Sequence, residues 1–259
     1  MRDTAPAVFM VARPVVDWEA IKSYLDPVGG GSWVARSRSS EERSSEALVE
    51  FAGRLCYRSW EPGLNPNIKR VRPDRAKYID NLLASGHGSV LEHAQFSFVF
   101  RSVSRVFTHE LVRHRAGVAI SQESLRYVRL TDIGFRIPDV VADMREEIVQ
   151  LVESVEEFHR KASERYGLDD AELPFQVKKE VTSALRRLAP LGLSTDMLWS
   201  ANVRTLRHVI TMRTALGAEE EIRTVFGMVA SLMKEECPLL FADFTRDSEG
   251  QWLPKYPKV

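Results

Sequence analysis

The sequence predicts an α+β fold in one domain covering residues 1–259, with helices packed against a mostly antiparallel sheet. Residues 95–101 read Gln-Phe-Ser-Phe-Val-Phe-Arg, so polar and aromatic residues alternate except at Val99, the pattern of a half-buried strand. Several other segments repeat apolar residues at every third and fourth position, which indicates amphipathic helices. The sequence contains neither an internal repeat nor a linker that would divide the chain.

Seven helices are predicted along the chain from stripes of apolar residues and from start and stop signals. They cover 44–58, 72 to about 84, about 104 to about 115, 141–158, 177–188, 204–215 and 222–233. Residues 197–201 are predicted as a second strand, which leads into the sixth helix. The glycine-, serine- and arginine-rich stretch 29–45 is predicted as a loop, and 116–124 shows no sustained helical or strand pattern.

Charge is balanced overall but unevenly distributed. The chain has 36 lysines and arginines and 36 aspartates and glutamates, so it lacks the basic excess of a general nucleic-acid binder. Between Arg101 and Leu130, however, six arginines stand against only Glu110 and Glu123. Such a local cationic patch in a neutral protein suits a small phosphorylated ligand better than a long nucleic acid.

The composition is typical of a cytoplasmic protein. No apolar run approaches the ~20 residues of a membrane helix, and the first residues lack a signal-peptide pattern. The two cysteines, Cys56 and Cys237, form no metal-binding or redox spacing, and both are predicted to pack in the core. We therefore expect a reducing cytoplasm and no membrane partner.

An arginine-rich segment carries the strongest functional signal. Arg113, His114 and Arg115 precede a short loop, which is followed by Gln-Glu-Ser-Leu-Arg-Tyr at 122–127. The arginine fork binds phosphate through two parallel hydrogen bonds, and the glutamine and serine add neutral groups that can orient a sugar or a base. A solvated basic helix end explains the arginines equally well, because cations suit the negative pole of a helix.

These residues resemble the signature of the flavin-dependent thymidylate synthases, in which Arg-His-Arg is followed after seven residues by Ser-x-Arg-Tyr. Residues 113–115 and 124–127 match its two halves. Upstream, Gly-His-Gly-Ser-Val-Leu-Glu-His at 86–93 is similar to the family's Gly-His-x-Ser/Thr-x-x-Glu-His. Downstream, Asn-Val-Arg-Thr-Leu at 202–206 and Met-Arg at 212–213 resemble its Asn-x-Arg-Ser/Thr-Leu block and the arginine that ends it.

The resemblance implies a homotetrameric enzyme that methylates C5 of dUMP with FAD, 5,10-methylenetetrahydrofolate and NADPH, at sites formed between subunits. It implies FAD contacts for Ser89, Arg113, His114, Arg115, Gln122, Asn202, Arg204 and His208. It implies nucleotide contacts for Glu110, Arg113, Gln122, Ser124, Leu125, Arg126, Arg186 and Arg213. Ser124 and Arg213 are the predicted catalytic residues, and Arg213 matches the arginine credited with ionising the uracil ring.

The residue types agree with such a reaction. Uracil C5 is a poor nucleophile, and one solution is a cysteine thiolate that adds to C6. That thiolate needs an electropositive, accessible setting, which neither cysteine is predicted to have. The alternative is a cation beside ring N3 and its carbonyl groups, a role that Arg213 can fill, while reduced flavin supplies the electrons.

Departures from the family pattern concern mainly the nucleotide side. Eight residues rather than seven separate Arg115 from Ser124, and Ala119 stands where many relatives carry a hydroxyl residue. Glu110 occupies a position often held by glutamine, and Gly217 one where some relatives have a flavin-contacting histidine. Family members from nucleoside-antibiotic pathways such as that of polyoxin methylate UMP as well as dUMP. A UMP/dUMP methylase that makes 5-methyl-UMP is therefore an alternative prediction.

Two non-catalytic interpretations are also open: a flavin- or nucleotide-binding protein without activity, and an RNA-binding module that uses the basic segment. The joint presence of Arg213, Ser124 and Arg186 argues against the first, and zero net charge argues against the second. His87 and His93 lie six residues apart without a third ligand at suitable spacing, so no metal site is predicted.

Overall fold

The computed structural model describes residues 1–38 and 43–259. The helices in these ranges are α1 (Trp18–Leu25), α2 (Gly31–Arg38), α3 (Ser44–Tyr57), α4 (Arg75–Ala84), α5 (Arg105–Leu111), α6 (Arg145–Arg165), α7 (Phe175–Leu185), α8 (Val203–Arg213) and α9 (Glu220–Glu236). The strands are β1 (Arg2–Asp3), β2 (Ala7–Ala12), β3 (Gln95–Ser104), β4 (Val118–Gln122), β5 (Gly134–Phe135), β6 (Ser194–Asn202), β7 (Phe244–Arg246) and β8 (Trp252–Pro254). Short 3-10 turns cover Asp26–Val28, Gly88–His93, Asp139–Met144 and Arg186–Leu188.

The main sheet has four strands in the order β2-β3-β6-β4, and every neighbouring pair is antiparallel. The two strands predicted from the sequence are its central pair, β3 and β6, whose register sets Phe98 opposite Trp199. Two small sheets complete the fold, a parallel pair β1-β5 and an antiparallel pair β7-β8. The predicted α+β class with a mostly antiparallel sheet is confirmed.

Alternation along β3 turns one face of the sheet towards the helices. Phe96, Phe98 and Phe100 are fully buried. The ring centroid of Phe100 lies 6.0 Å from that of Phe226 in α9 and 5.3 Å from that of Phe107 in α5. Burying each such side chain contributes about 1.5–3 kcal/mol. Alternate residues on the other face, such as Val99, are only partly buried, so this chain covers that face incompletely.

The two central strands run directly into helices. Ser104 ends β3 and caps α5, where its hydroxyl accepts a hydrogen bond from the Phe107 N–H at 3.1 Å. Asn202 ends β6 and caps α8, where its Oδ1 accepts from the Thr205 N–H at 2.9 Å. Each cap of this kind stabilises its helix by about 1 kcal/mol. Because β3 and β6 are antiparallel, α5 and α8 begin at opposite ends of the sheet.

The predicted loop over 29–45 is wrong in its central part. Helix α2 occupies Gly31–Arg38, residues 39–42 lie outside the described residues, and α3 begins at Ser44. The helix forms because Trp33 and Val34 are buried in a small core with Trp18 and Trp60. Tertiary burial of two apolar residues therefore outweighs the loop-like composition around them.

The region around the arginine-rich segment also differs from the prediction. Helix α5 ends at Leu111 rather than near 115, so Arg113, His114 and Arg115 lie in the turn after it. The stretch 116–124, for which no regular pattern was found, contains β4. The burial of β4 alternates along its five residues, but a strand this short at the edge of the sheet gives too few repeats to be recognised from the sequence. The other six predicted helices are present as α3, α4, α6, α7, α8 and α9.

The two cysteines differ in burial. Cys237 is buried as predicted, but Cys56 is exposed, so its predicted place in the core is wrong. Helix α3 instead buries Arg54, whose guanidinium forms a 2.7 Å ion pair with the buried Glu50, and this rotates Cys56 outward. In the described ranges, no helix is both long and apolar enough to cross a membrane.

Candidate active site

A cleft of about 520 Å³ opens beside the first turns of α8. Its volume lies within the usual range for small-molecule and cofactor sites. Six of the residues predicted to contact FAD line this one cleft. The lining consists of Glu92, Arg113, His114, Arg115, Ala116, Gly117, Asn202, Arg204, Thr205, His208, Val209 and Val259.

The turn after α5 is fixed tightly to the start of α8. The backbone N–H of Asn202 donates to the Gly117 carbonyl at 3.3 Å, and the Thr205 hydroxyl donates to the Ala116 carbonyl at 2.8 Å. Gly117 has a φ of +68°, and a Cβ there would lie 2.3 Å from Asn202 Nδ2. Only glycine allows this close approach, which brings the arginines of the turn beside the cap of α8.

Positive charge dominates the cleft. Arg204 forms a 2.7 Å ion pair with Glu92, and both side chains are about half exposed, so the pair contributes little to stability. The side chains of Arg113 and Arg115 are exposed and make no ion pair or hydrogen bond within the described ranges. Their donor groups are therefore available to an anionic ligand such as a phosphate.

Ser89 lies at the border of this cleft rather than in its lining. It is exposed and follows Gly88, where a Cβ would lie 3.0 Å from Arg204 Nε. The backbone at 88–89 therefore passes close to the cationic side of the cleft.

His114 links the cleft to Arg213, which does not line it. Arg213 Nε donates to His114 Nε2 at 2.7 Å, so this nitrogen must be unprotonated. Burial, the Arg213 guanidinium and His208 together lower the pKa of His114 to about 4. His114 is therefore a neutral imidazole at pH 7.

Arg213, the last residue of α8, is held on its other side by α5. Its Nη1 donates to Glu110 Oε2 at 2.7 Å, and its Nη2 donates to the Glu110 carbonyl at 3.0 Å. The two side chains are mostly buried, with 19% and 31% exposed. The carboxylate therefore offsets part of the desolvation cost of this mostly enclosed guanidinium.

The other predicted nucleotide residues follow the far end of β4. Gln122 Nε2 donates to the Thr108 hydroxyl at 3.1 Å, which attaches the end of β4 to α5. Beyond it, the backbone of Glu123 pairs with Asp196, and the Ser124 hydroxyl accepts from the Arg126 N–H at 3.3 Å. The result is a compact turn that presents a hydroxyl and a cation side by side.

Arg186 approaches the same turn from the end of α7. It is exposed and lines a small cavity together with Leu125. Sequence reasoning missed a neighbour, Arg105, whose Nη2 donates to the Glu123 carbonyl at 2.9 Å. Burial and the nearby Arg186 lower the pKa of Arg105, which Glu123 opposes, and its buried Nε has no acceptor in the described ranges. The available sequence signal for Arg105 was its position directly after Ser104, the residue that caps α5.

The structure thus divides the predicted residues between two ends of one strand. The cleft lies at the beginning of β4, and the turn at 123–126 lies after its end. Five extended residues span about 16 Å, so the two groups do not form one pocket within the described part of the chain. Glu110 and Arg213 lie between them, joined to the cleft through His114.

The histidines outside this network have other surroundings. His87 packs edge-on against Tyr57, with ring centroids 5.7 Å apart, and His93 is exposed. Across the described residues, no group of three or more histidine, cysteine, aspartate or glutamate side chains is arranged to hold a metal ion.

Comparison with known proteins decides the family. Residues 40–239 match the family described as thymidylate synthase complementing protein. A flavin-dependent thymidylate synthase from Mycobacterium avium (strain 104) is 34% identical over 211 residues, which cover 80% of this chain and 82% of the relative. The chain belongs to the flavin-dependent thymidylate synthase family. An enzyme of the same description from Mycobacterium tuberculosis (strain ATCC 25618 / H37Rv) is 34% identical over 203 residues, or 76% of this chain and 79% of the relative.

Membership of the flavin-dependent thymidylate synthase family confirms the resemblance inferred from the sequence motifs. It identifies the chain as an enzyme of this type. The roles of individual residues remain predictions, which the geometry of the cleft and of the Arg213 network now makes specific.

Proposed function

We propose that this chain, acting as one domain over residues 1–259, catalyses the FAD-dependent methylation of C5 of dUMP to give dTMP. The proposed carbon donor is 5,10-methylenetetrahydrofolate, and the proposed source of reducing equivalents is NADPH. The observation that carries the proposal is the cationic cleft joined through neutral His114 to a clamped Arg213.

The chemistry of the cleft fits FAD. Arg113 and Arg115 offer free guanidinium donors for a pyrophosphate, and the close turn at Gly117 brings backbone groups to the start of α8. When bound, the flavin would supply the two electrons that convert a methylene carbon into a methyl group. The residues proposed to hold it are Ser89, Arg113, His114, Arg115, Gln122, Asn202, Arg204 and His208.

The nucleotide is proposed to bind at Arg213, between the cleft and the turn at 123–126. The arginines offer charge-assisted contacts to its phosphate, and Ser124 and Gln122 offer neutral donors and acceptors to its sugar and base. The residues proposed to contact it are Glu110, Arg113, Gln122, Ser124, Leu125, Arg126, Arg186 and Arg213.

Arg213 is the proposed activating group, with Ser124 beside the ring. A fixed guanidinium at N3 and its carbonyl oxygens stabilises the negative charge that makes C5 nucleophilic, an effect of several kcal/mol in a preorganised site. Cys237 is disfavoured as a nucleophile, because burial raises its pKa to about 12 despite its hydrogen bond with Ser45, and the exposed Cys56 is not among the residues that line the cleft. The Cys237 thiol remains protonated at pH 7 and is a poor nucleophile.

A homotetramer is proposed as the active form. Two observations support shared sites: the flavin-side and nucleotide-side residues lie at opposite ends of β4, and one face of the main sheet is incompletely covered by its own chain. The proposed location is the cytoplasm, since both cysteines are unpaired, as is usual in a reducing compartment.

Mass spectrometry of the reaction products tests the proposed function. The purified protein is incubated with FAD, methylenetetrahydrofolate and NADPH, and with either dUMP or UMP. We expect dUMP to gain one methyl group, and omission of the folate or of NADPH to abolish product. Efficient methylation of UMP would establish the alternative UMP/dUMP methylase, and no methylation of either nucleotide would overturn the proposal.

A further inference from the structure

The contacts of Arg213 account for three of its N–H groups. A guanidinium carries five such groups in a planar fork and accepts no hydrogen bonds. Nε donates to His114, Nη1 to the Glu110 carboxylate and Nη2 to the Glu110 carbonyl. One N–H remains on each Nη, without a partner in the described ranges. These two groups are what the protein leaves for a ligand.

The three protein contacts come from two directions and fix the guanidinium plane. Glu110 belongs to α5 and His114 to the turn after it, whereas Arg213 ends α8. Each contact is a normal or short charge-assisted distance, between 2.7 and 3.0 Å. A planar group held at three points cannot rotate without losing a hydrogen bond, so the free pair of N–H groups has one orientation.

His114 has two neighbours of different kinds. Its Nε2 accepts from Arg213, which leaves Nδ1 as the protonated nitrogen of the neutral ring. The same ring lines the cationic cleft and packs edge-on against His208, with centroids 5.9 Å apart. A change in the orientation of Arg213 therefore affects the position of His114, a side chain of the cleft.

We propose that Glu110 and His114 are positioning residues that aim the free N–H pair of Arg213 at the nucleotide, and that the Arg213–His114 hydrogen bond couples nucleotide binding to flavin binding. The inference rests on the proposed function, because it takes the cleft as the flavin site. A nucleotide that engages Arg213 adds contacts to the three that the protein already makes, so breaking the Arg213–His114 hydrogen bond costs more and the imidazole is held more firmly. The cleft is then already ordered when FAD binds, so less conformational entropy of its side chains is lost, which gives positive coupling.

The coupling is measured by titrating FAD into the full-length protein with and without saturating dUMP. We expect dUMP to tighten FAD binding about fivefold or more in the wild type, within the usual range of coupling between sites. His114→Ala removes the acceptor of Arg213 Nε and should reduce the factor to less than about twofold. His114→Gln, whose amide oxygen reaches about as far as Nε2, should restore most of it.

The role of Glu110 is measured by turnover with FAD at saturation. Glu110→Ala should lower kcat about tenfold or more, because a misdirected guanidinium stabilises the ring poorly. Glu110→Gln retains an acceptor for Nη1 and should stay within about threefold of the wild type. Glu220→Ala is the matched control, since Glu220 pairs with Arg136 at similar exposure, 37% and 18%, away from the cleft, and it should change neither kcat nor the coupling.

Two results would overturn this inference. One is wild-type coupling in His114→Ala, and the other is a Glu110→Gln variant as impaired as Glu110→Ala, which would mean that the negative charge and not the positioning matters. The binding measurement needs no turnover. A wild-type protein that couples the two ligands but makes no dTMP would therefore contradict the proposed function and leave the coupling intact.

Discussion

Arg213 combines a long-range structural role with the proposed chemical one. Its side chain joins the ends of α5 and α8 through Glu110 and His114, and two of its N–H groups have no partner among the residues that the structure describes. Because these partners belong to the chain itself and fix the guanidinium, the electrostatic help costs little reorganisation when charge develops on the ring. The arginine is thus preorganised by contacts that a sequence motif alone cannot reveal.

Replacing Arg213 should separate binding from chemistry. Arg213→Ala is expected to retain FAD and to reduce methylation by about two orders of magnitude or more, the equivalent of ~3 kcal/mol of lost stabilisation. Arg213→Lys should recover little, because one ammonium cannot replace a planar fork held at three points. Steady-state rates and flavin content measure both effects. Arg136→Ala, which breaks the comparable pair with Glu220, is the control and should keep normal turnover.

The cysteines provide a second test at the level of single residues. Cys56→Ala changes an exposed side chain and should alter stability by less than about 0.5 kcal/mol. Cys237→Ala removes a buried thiol and should cost about 1 kcal/mol of unfolding free energy, with methylation largely retained in both variants. Thermal melts and product assays check these outcomes. Loss of turnover in Cys237→Ala, with folding and FAD binding intact, would mean that the proposed ring activation is wrong.

At the scale of elements, the site is formed by α5, the turn after it, the cap of α8 and β4. Helix α5 leaves the end of β3, its following turn docks on the cap of α8, and β4 then runs back beside β6. The motif residues before and after β4 are therefore separated by the length of that strand. In the proposed function, this spacing lets one short signature contact two ligand groups.

The tight turn at Gly117 should control the geometry of the cleft. Gly117→Ala places a Cβ 2.3 Å from Asn202 Nδ2 at a φ of +68°, so we expect a loss of about 1–3 kcal/mol of stability and weaker FAD retention. Gly63→Ala is the matched control, with a φ of +89° but nothing within 4 Å of its Cβ. It should show the backbone strain alone and bind FAD normally. Equal FAD affinity in the two variants would contradict the role given to this turn.

The sequence was most informative where burial repeats with a regular period. The aromatic alternation of β3 and the apolar stripes of α6 and α9 follow directly from packing against one core. Helix α2 was missed because only two of its apolar residues, Trp33 and Val34, are buried, and they pack against distant tryptophans. Strand β4 was missed because its pairing with β6 is a long-range property of an edge strand.

The same holds for the candidate site, where features that depend on local spacing were predicted and long-range contacts were not. Motif resemblance identified six residues that line one cleft, because their spacing follows from the caps and turns of α5 and α8. It did not identify Arg105, nor the contact of Arg213 with His114, which spans 99 positions in the chain. Contacts of this kind depend on how whole elements pack, and short-range sequence patterns do not encode them.

At the scale of the whole molecule, two histidines should make stability depend on pH. The pKa of His114 is lowered to about 4 by burial, Arg213 and His208, and the pKa of His159 is lowered by burial. Between the ordinary value of 6.5 and these lower values, the unfolded chain binds protons that the folded chain excludes. The histidines therefore reduce the free energy of unfolding as pH falls through this window.

The contribution of each histidine is obtained by comparing the wild type with a variant that lacks that histidine, because other groups also change stability with pH. Two buried carboxyl groups act in the opposite sense, since burial raises the pKa values of Glu46 and Glu221, and the folded state then binds more protons on acidification. We expect His114→Gln and His159→Gln each to show a smaller loss of melting temperature than the wild type between pH 7 and pH 5. Parallel curves for the wild type and both variants would contradict the assigned shifts.

The central claim is that the electrons for methyl formation come from a flavin held by this chain. The direct measurement is an anaerobic single turnover, in which protein-bound FAD is first reduced with NADPH, excess NADPH is removed, and dUMP and methylenetetrahydrofolate are then added. Flavin absorbance should return only when both substrates are present, with one dTMP formed for each flavin reoxidised. Formation of dTMP while the flavin stays reduced would mean that the folate supplies the electrons, and would contradict the account.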